Sequence, residues 1–340
     1  MAQFDTSDPA SHNVIITGVS GFVGSTLTDY ILNLPDDNWQ VWGIDRTSTP
    51  GPNLQQWANN PRFQMHSLDL ADREALTTLI GQIRPARLFH LAALAFVGPS
   101  LTDPLATLNN NLTVTVNLFE AVRAVGLREI TRIHNAGSSD EYGLVQPQDL
   151  PVNEDTPFRP NNPYAVSKIT QDMLGQQYAN TWGFQIVTTR AFNHLGPRQN
   201  PQLAASAFAR QIAQAEAGQI APVIQVGNLE ASRDYTDVRD VVHGYWLALD
   251  SMDKPNGCQP GQVYNLCSGQ DYKMSYILQT LLAKSTRILE VQPDPARMRP
   301  SEIMVMRGDY SRFQLATGWQ PTIPLDTSLR DLLDYWRSQV

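Results

Sequence analysis

The sequence predicts an α/β protein built on a doubly wound parallel sheet, with a smaller portion toward its C-terminal end. Two features carry that expectation. Through roughly the first 190 residues, short β-rich apolar runs alternate with longer amphipathic stretches, which is the rhythm of a βαβ series. Beyond Phe192 the alternation becomes irregular, so a different architecture is expected there. The composition is that of a folded chain: 42% of the residues are hydrophobic and 17% are charged, with a net charge of −8.

In chain order, the expected strands are Asn13 to Ile16, Gln40 to Ile44, Phe63 to His66, Arg87 to Leu91, Ile130 to Asn135 and Gln185 to Arg190. Helical patterns lie between them, at Phe22 to Leu34, Arg73 to Ile83, Leu112 to Val125 and Pro163 to Thr181. Further along, Ala204 to Glu216 and Val238 to Leu249 read as helices, and Val223 to Val226 and Val263 to Cys267 as strands. Leu325 to Trp336 reads as a terminal amphipathic helix that buries Leu325, Leu329, Leu332, Leu333 and Trp336. Pro and Gly mark loops from Pro255 to Gly261 and from Pro293 to Pro300. The expected division is one unit over 12–195, to which about 234–268 returns, and a smaller unit from 196–233 and 269–338.

Several function classes are excluded. Every apolar run falls short of the about 20 residues a spanning helix needs, so no membrane partner is expected. The acidic balance lacks the basic footprint of a nucleic-acid binder. Two cysteines, Cys258 and Cys267, supply neither a disulfide framework nor a four-ligand zinc site, and no metal is expected. The polar start, MAQFDTSDPASHN, has no apolar signal core, so a soluble cytoplasmic protein is expected.

The first expected strand runs into Thr17-Gly18-Val19-Ser20-Gly21-Phe22-Val23-Gly24 and then a helix. A glycine triplet alone is weak evidence. Between a strand and a helix, Gly18, Gly21 and Gly24 permit close backbone approach to a pyrophosphate, and the helix start at Phe22 and Val23 offers it unsatisfied N–H groups. The unit is therefore expected to be Rossmann-like and to bind a dinucleotide. After the second strand, Asp45 suits the ribose hydroxyls of NAD and Arg46 the 2′-phosphate of NADP, which leaves that preference open. Asp69-Leu70 suits an adenine contact, or Asp69 caps the following helical segment. Leu91-Ala92-Ala93, closing the fourth strand, suits a close approach on the nicotinamide side.

Tyr164 and Lys168 stand four apart in an expected helix whose first turn holds Pro163, which puts both side chains on one face. An ammonium group beside a phenol favours the phenolate, so Lys168 together with a bound nicotinamide cation is expected to lower the Tyr164 pKa. Ala136-Gly137-Ser138-Ser139-Asp140-Glu141-Tyr142-Gly143 follows the fifth strand, at the sheet edge where ligands bind, so the Ser138 hydroxyl can meet Tyr164 across a bound carbonyl.

With those residues in hand, the chain resembles an extended short-chain dehydrogenase/reductase acting on nucleotide sugars. The likeness spans Gly18 to Gly24, Leu91 to Ala93, the Asn111 run, Ser138 to Gly143, Tyr164 with Lys168, and Arg190 to Pro197. Val226 to Asp240 and Arg299-Pro300-Ser301-Glu302 resemble its GDP-mannose branch. The resemblance implies a Ser-Tyr-Lys catalytic set, Rossmann-type NAD or NADP binding, and a C-terminal portion that closes over a GDP-sugar. It also implies a homodimer packed through the helices near 112–125 and 163–181. By the same resemblance Asn193, Arg233, Arg299, Ser301 and Glu302 join Ser138 at the substrate.

Two activities of that branch compete: a 4,6-dehydratase acting on GDP-mannose, and a reductase that turns GDP-4-keto-6-deoxy-D-mannose into GDP-D-rhamnose. The dehydratase pattern has Thr-x-Glu where Ser138-Ser139-Asp140 stands, so a shorter Asp140 takes the catalytic acid's place. It has Arg-Lys at Arg210-Gln211 and Pro-Arg-Arg at Pro197-Arg198-Gln199. These departures favour the reductase. A non-catalytic Rossmann cofactor sensor is the third reading, against which the Tyr164–Lys168 pair weighs.

Overall fold

The structure is a computed structural model and describes residues 9–298 and 303–340. Its first half alternates as the apolar rhythm predicts: β1 (Asn13–Thr17), α1 (Phe22–Leu32), β2 (Gln40–Asp45), β3 (Phe63–Ser67), α2 (Arg73–Ile83), β4 (Arg87–His90), α3 (Val97–Thr102), α4 (Pro104–Ala124), β5 (Arg132–Ser138), α5 (Pro163–Trp182) and β6 (Gln185–Ala191). There follow β7 (Asn193–Leu195), α6 (Ala204–Glu216), β8 (Val223–Val226), β9 (Ser232–Asp237), α7 (Val238–Asp250) and β10 (Val263–Leu266). Last come β11 (Asp271–Lys273), α8 (Met274–Leu282), β12 (Glu290–Pro293), β13 (Val305–Met306), α9 (Ser311–Thr317) and α10 (Leu325–Arg337). No helix among the described residues is long and apolar enough to cross a membrane.

Seven parallel strands form the central sheet in the order β10-β6-β5-β4-β1-β2-β3. Alternate side chains of β1 feed two cores. Val14 and Ile16 join Leu27, Ile31, Val241 and Trp246 on one face, while Ile15 joins Leu76, Ile80, Leu118 and Phe119 on the other. The chain winds outward in opposite directions from β1 and β4, so a crevice opens above the carboxyl ends of those two strands, where an open α/β sheet binds ligands.

The smaller portion has its own core, where Ile212 of α6, Ile277 and Leu281 of α8, and Leu329, Leu332 and Leu333 of α10 meet β8 and β9. Trp336 is buried there too and donates from Nε1 to Ser206 Oγ at 2.9 Å. Strands β7, β11 and β13 gather around β9, and β8 pairs with β12.

The structure adds α3, β7, β11, α8, β12, β13 and α9, which the sequence does not lead one to expect, and departs from the expectation in three further places. Helix α4 starts at Pro104, a full two turns before Leu112, and is capped by Asp103, which accepts from Ala106 N at 3.0 Å. Its buried face carries Thr107, Asn111 and Thr115, polar residues that interrupt the apolar period. Strand β9, with sequence SRDYTD, does not read as a strand because its buried Asp234 and Asp237 read as turn residues. Strand β5 runs on to Ser138, so that residue ends the strand instead of lying in a loop beyond it.

Candidate active site

Between β1 and α1 the chain passes close over the loop that follows β4. Gly18 has φ +68°, and a Cβ there would stand 3.0 Å from Ala92 Cα; one on Gly24 would stand 2.4 Å from the Gly18 carbonyl oxygen. Only glycine fits either place. The N-cap of α1 is Gly21, which gives no side-chain hydrogen bond, so the first-turn N–H groups of α1 are left for an anion. Nearby, the buried Ser20 Oγ has no hydrogen-bond partner among the described residues. A glycine cradle, a donor-rich helix start and an orphaned hydroxyl together fit a dinucleotide pyrophosphate.

At the end of β2, Asp45 turns toward this loop: Oδ2 accepts from Ser20 N at 3.1 Å and Oδ1 from Arg46 N at 2.7 Å. Arg46 is exposed and forms no ion pair among the described residues. Asp69 accepts from Ala71 N at 2.9 Å in a tight turn, and Leu70 is buried. The cap of α2 is not Asp69 but Asp72, which accepts from Ala75 N at 3.0 Å, because the helix starts one turn later.

The loop after β4 is fastened from below by Thr17 and Asn111, which lie in the motifs named above, and by His90 and Thr115, which the sequence alone does not single out. Thr17 Oγ1 accepts from Leu91 N at 3.1 Å and Ala92 N at 3.2 Å, so its own proton goes to His90 Nδ1, 3.0 Å away. His90 Nε2 then donates to Thr115 Oγ1 at 3.0 Å. Burial lowers the His90 pKa to about 3, so the ring stays neutral in this chain of bonds. Asn111 accepts from Leu94 N at 2.8 Å and donates to Ser167 Oγ at 2.9 Å, which ties the segment beyond Ala93 to α5.

Helix α5 carries Tyr164 and Lys168. It is capped by Asn162, which accepts from Ala165 N at 2.8 Å, and Pro163 occupies its first turn. Both side chains face the end of β5. Lys168 Nζ donates to the Ala136 carbonyl at 2.9 Å, and burial lowers its pKa to about 8, with Glu141 opposing that shift. The Tyr164 phenol is buried and hydrogen-bonded to Ser138, whose Oγ also accepts from Asp140 N at 3.2 Å.

In the chain by itself the Tyr164 pKa is raised. Burial and the Asp140 carboxylate push the phenol up, and the Ser138 hydrogen bond is the influence that pulls it down. Lys168 points its ammonium at the backbone of β5, so the two groups share a face without pairing. The arrangement holds a protonated phenol and a serine hydroxyl together, a proton donor beside a carbonyl-polarising group.

Next to these groups, reached through Asp140 beside Ser138 and Asn162 beside Tyr164, lies a cleft of about 300 Å³ that Asp140, Asn193 and Arg233 line; Ser138, Tyr164 and Lys168 are not part of its wall. Phe96, Asn162, Gln202 and Leu203 line it as well, and the sequence reading did not single them out. Phe96 had one legible signal, its place just past a strand end at the ligand-binding edge. Gln202 and Leu203 lie in a loop with no motif to mark them. Arg299, Ser301 and Glu302 lie outside the described residues. His194 stacks on Phe22 with ring centres 5.8 Å apart, and its Nδ1 lies 3.0 Å from the Phe192 carbonyl, which makes it structural.

The profile of the family described as GDP-mannose 4,6 dehydratase matches residues 15–332. The GDP-6-deoxy-D-mannose reductase of Pseudomonas aeruginosa is 35% identical over 330 residues, 97% of this chain and 99% of that one. A GDP-mannose 4,6-dehydratase of Yersinia enterocolitica is 28% identical over 349 residues, 94% of this chain and 92% of that one. The solved structure of RMD from Pseudomonas aeruginosa complexed with NADPH superimposes with a TM-score of 0.81 at 33% identity, covering 97% of this chain and 100% of that one. The chain therefore belongs to the GDP-mannose 4,6-dehydratase family of extended short-chain dehydrogenases/reductases and is an NAD(P)-dependent nucleotide-sugar oxidoreductase.

Proposed function

We propose that this enzyme reduces the C4 carbonyl of GDP-4-keto-6-deoxy-D-mannose to give GDP-D-rhamnose, with NADPH as the reductant. The observation that carries the reading is which acid faces the cleft beside Tyr164. A dehydratase needs a glutamate to reach C5 of the sugar. Here the acid lining the cleft is the shorter Asp140. Glu141, the neighbouring candidate, is wholly buried and bonded to Arg190 at 3.1 Å, away from the cleft. Gln211 stands where the dehydratase pattern has lysine, and its amide bridges α6 to β8 by accepting from Gln225 N at 2.8 Å and donating to Gln225 O at 3.2 Å.

When bound, the reduced nicotinamide supplies the hydride for C4. The chain supplies the rest. The Ser138 hydroxyl donates to the carbonyl oxygen, Tyr164 gives that oxygen its proton, and the Lys168 ammonium holds the nicotinamide ribose. Gly18 through Gly24 receive the pyrophosphate, and Leu91, Ala92 and Ala93 border the nicotinamide. Asn193 and Arg233 meet the sugar diphosphate from the cleft wall, and by family resemblance Arg299, Ser301 and Glu302 also bind the substrate. NADPH is favoured over NADH because both Asp45 oxygens already accept backbone N–H groups while the Arg46 guanidinium is exposed beside them. The working form is a homodimer through α4 and α5, whose surfaces expose Leu105, Leu112, Val166 and Met173.

The test follows NADPH and NADH oxidation with the 4-keto sugar generated in place, and identifies the product. NADPH consumption with formation of GDP-rhamnose is expected, and GDP-mannose alone is left unchanged. Conversion of GDP-mannose to a 4-keto product without added reductant would establish the dehydratase instead. Tyr164→Phe is expected to bind NADPH normally and lose turnover by about 10²–10⁴-fold.

A further inference from the structure

Beneath the Ser138 turn lies a buried charge cluster that the proposed chemistry does not use. Glu141 is wholly buried, and its two oxygens point to different elements: Oε1 accepts from Ser138 N at 2.7 Å, and Oε2 from Arg190 Nε of β6 at 3.1 Å. The same guanidinium reaches Asp172 of α5, donating from Nη2 at 2.6 Å and Nε at 3.0 Å, and also donates to the Tyr142 hydroxyl at 3.0 Å. Asp172 lies one helical turn beyond Lys168 and two beyond Tyr164. Gly137 leaves room for this arrangement, since a Cβ there would stand 2.8 Å from Glu141 Oε1.

We infer that Glu141 is a positioning residue, which through Arg190 and Asp172 clamps the backbone of Ser138 to the helix that carries Tyr164 and Lys168. Ser138 sits at the last residue of a strand, where the ladder ends and its hydroxyl is otherwise free to swing with the turn. The Glu141 carboxylate closes that turn as a capping box, because Ser138 Oγ accepts an N–H of the turn while Glu141 accepts the Ser138 N–H. Arg190 then makes the position of the turn depend on α5. Buried charged hydrogen bonds of this kind are rigid in geometry, which suits a hydroxyl that must meet a phenol.

The inference rests on the roles proposed for Ser138 and Tyr164. Its test uses the full-length protein with two variants. Glu141→Leu removes the acceptor yet leaves Arg190 neutralised by Asp172, so it is expected to fold and to bind NADPH within about threefold of wild type. Its kcat is expected to fall by about 10–100-fold with little change in KM, a split that general loosening would not produce. In the free protein, hydrogen–deuterium exchange of the peptide carrying Ser138 is expected to quicken by about tenfold or more. Glu141→Gln keeps an acceptor for the Ser138 N–H and an amide donor for Asp172, with which Glu141 also shares a hydrogen bond, so it preserves the link to α5 and is expected to restore both readouts to within about threefold.

A folded Glu141→Leu with wild-type kcat, or with unchanged exchange at Ser138, overturns the inference. So does a Glu141→Gln protein that falls as far as the leucine variant, which decides the matter even if Glu141→Leu does not fold. A wild-type protein without turnover on the 4-keto sugar sinks the reductase reading, and the exchange experiment still judges the clamp.

Discussion

Lys168 is almost wholly enclosed, and its ammonium bonds directly to a backbone carbonyl and forms no ion pair among the described residues. Removal from water favours the neutral amine, which is why its pKa falls from 10.5 to about 8. The proposed role needs the charged form, so turnover is expected to hold below that pH and to decline as the pH rises through about 8. A pH profile of kcat checks this, and a plateau reaching pH 10 would reject it. At this scale the sequence was informative about which residues gather, because Tyr164 and Lys168 are placed by helical spacing and Gly18 by the strand before it. It was less informative about their electrostatics. In the chain by itself the phenol is raised by burial and by Asp140, and neither burial nor that approach is written in the local sequence.

Among the elements, Asp240 gathers several of the bonds that join α7 to the segment before α10. Asp240, in the first turn of α7, accepts from Thr322 N and Ile323 N at 2.9 Å each and from Thr322 Oγ1 at 2.8 Å, while Trp319 Nε1 donates to its carbonyl at 3.0 Å. Asp240→Ala would leave two backbone donors without an acceptor, at a cost of about 2–4 kcal/mol. A lowered midpoint of thermal unfolding is the expected result, with the α10 region exchanging its amides first; an unchanged midpoint would show that solvent replaces these bonds. The elements of the central sheet were legible because their apolar periods are strong. Helix α4 and strand β9 were not, since each turns polar side chains inward and satisfies them with partners far along the chain: Asn111 with Ser167, and Asp234 with Ser268 N at 2.7 Å.

Over the whole molecule, α4 and α5 expose several large apolar side chains on neighbouring elements. Leu105 is 67% exposed, and Leu112, Val166 and Met173 are each more than 40% exposed, so covering them with a second copy would remove considerable apolar area from water. Sedimentation is expected to give twice the mass of one chain. Leu105→Asp combined with Met173→Asp is expected to shift the species to one chain while preserving the fold, since neither residue belongs to a buried core. A wild-type protein that sediments as a single chain would refute the dimer.

What the sequence alone determined here is what neighbours in the chain decide: the α/β rhythm, the strand-loop-helix with its glycines, and a phenol and an amine one helical turn apart. The rest awaited the folded chain. Which acid faces the cleft and which is buried, how Asp45 turns toward the glycine loop, the lining of the cleft by the loops after β4 and β7, and the joining of Ser138 to α5 through Arg190 all depend on residues tens of positions apart. Such contacts form when strands take their places in the sheet, and their energy comes from burial and from hydrogen bonds across elements, which no local pattern encodes.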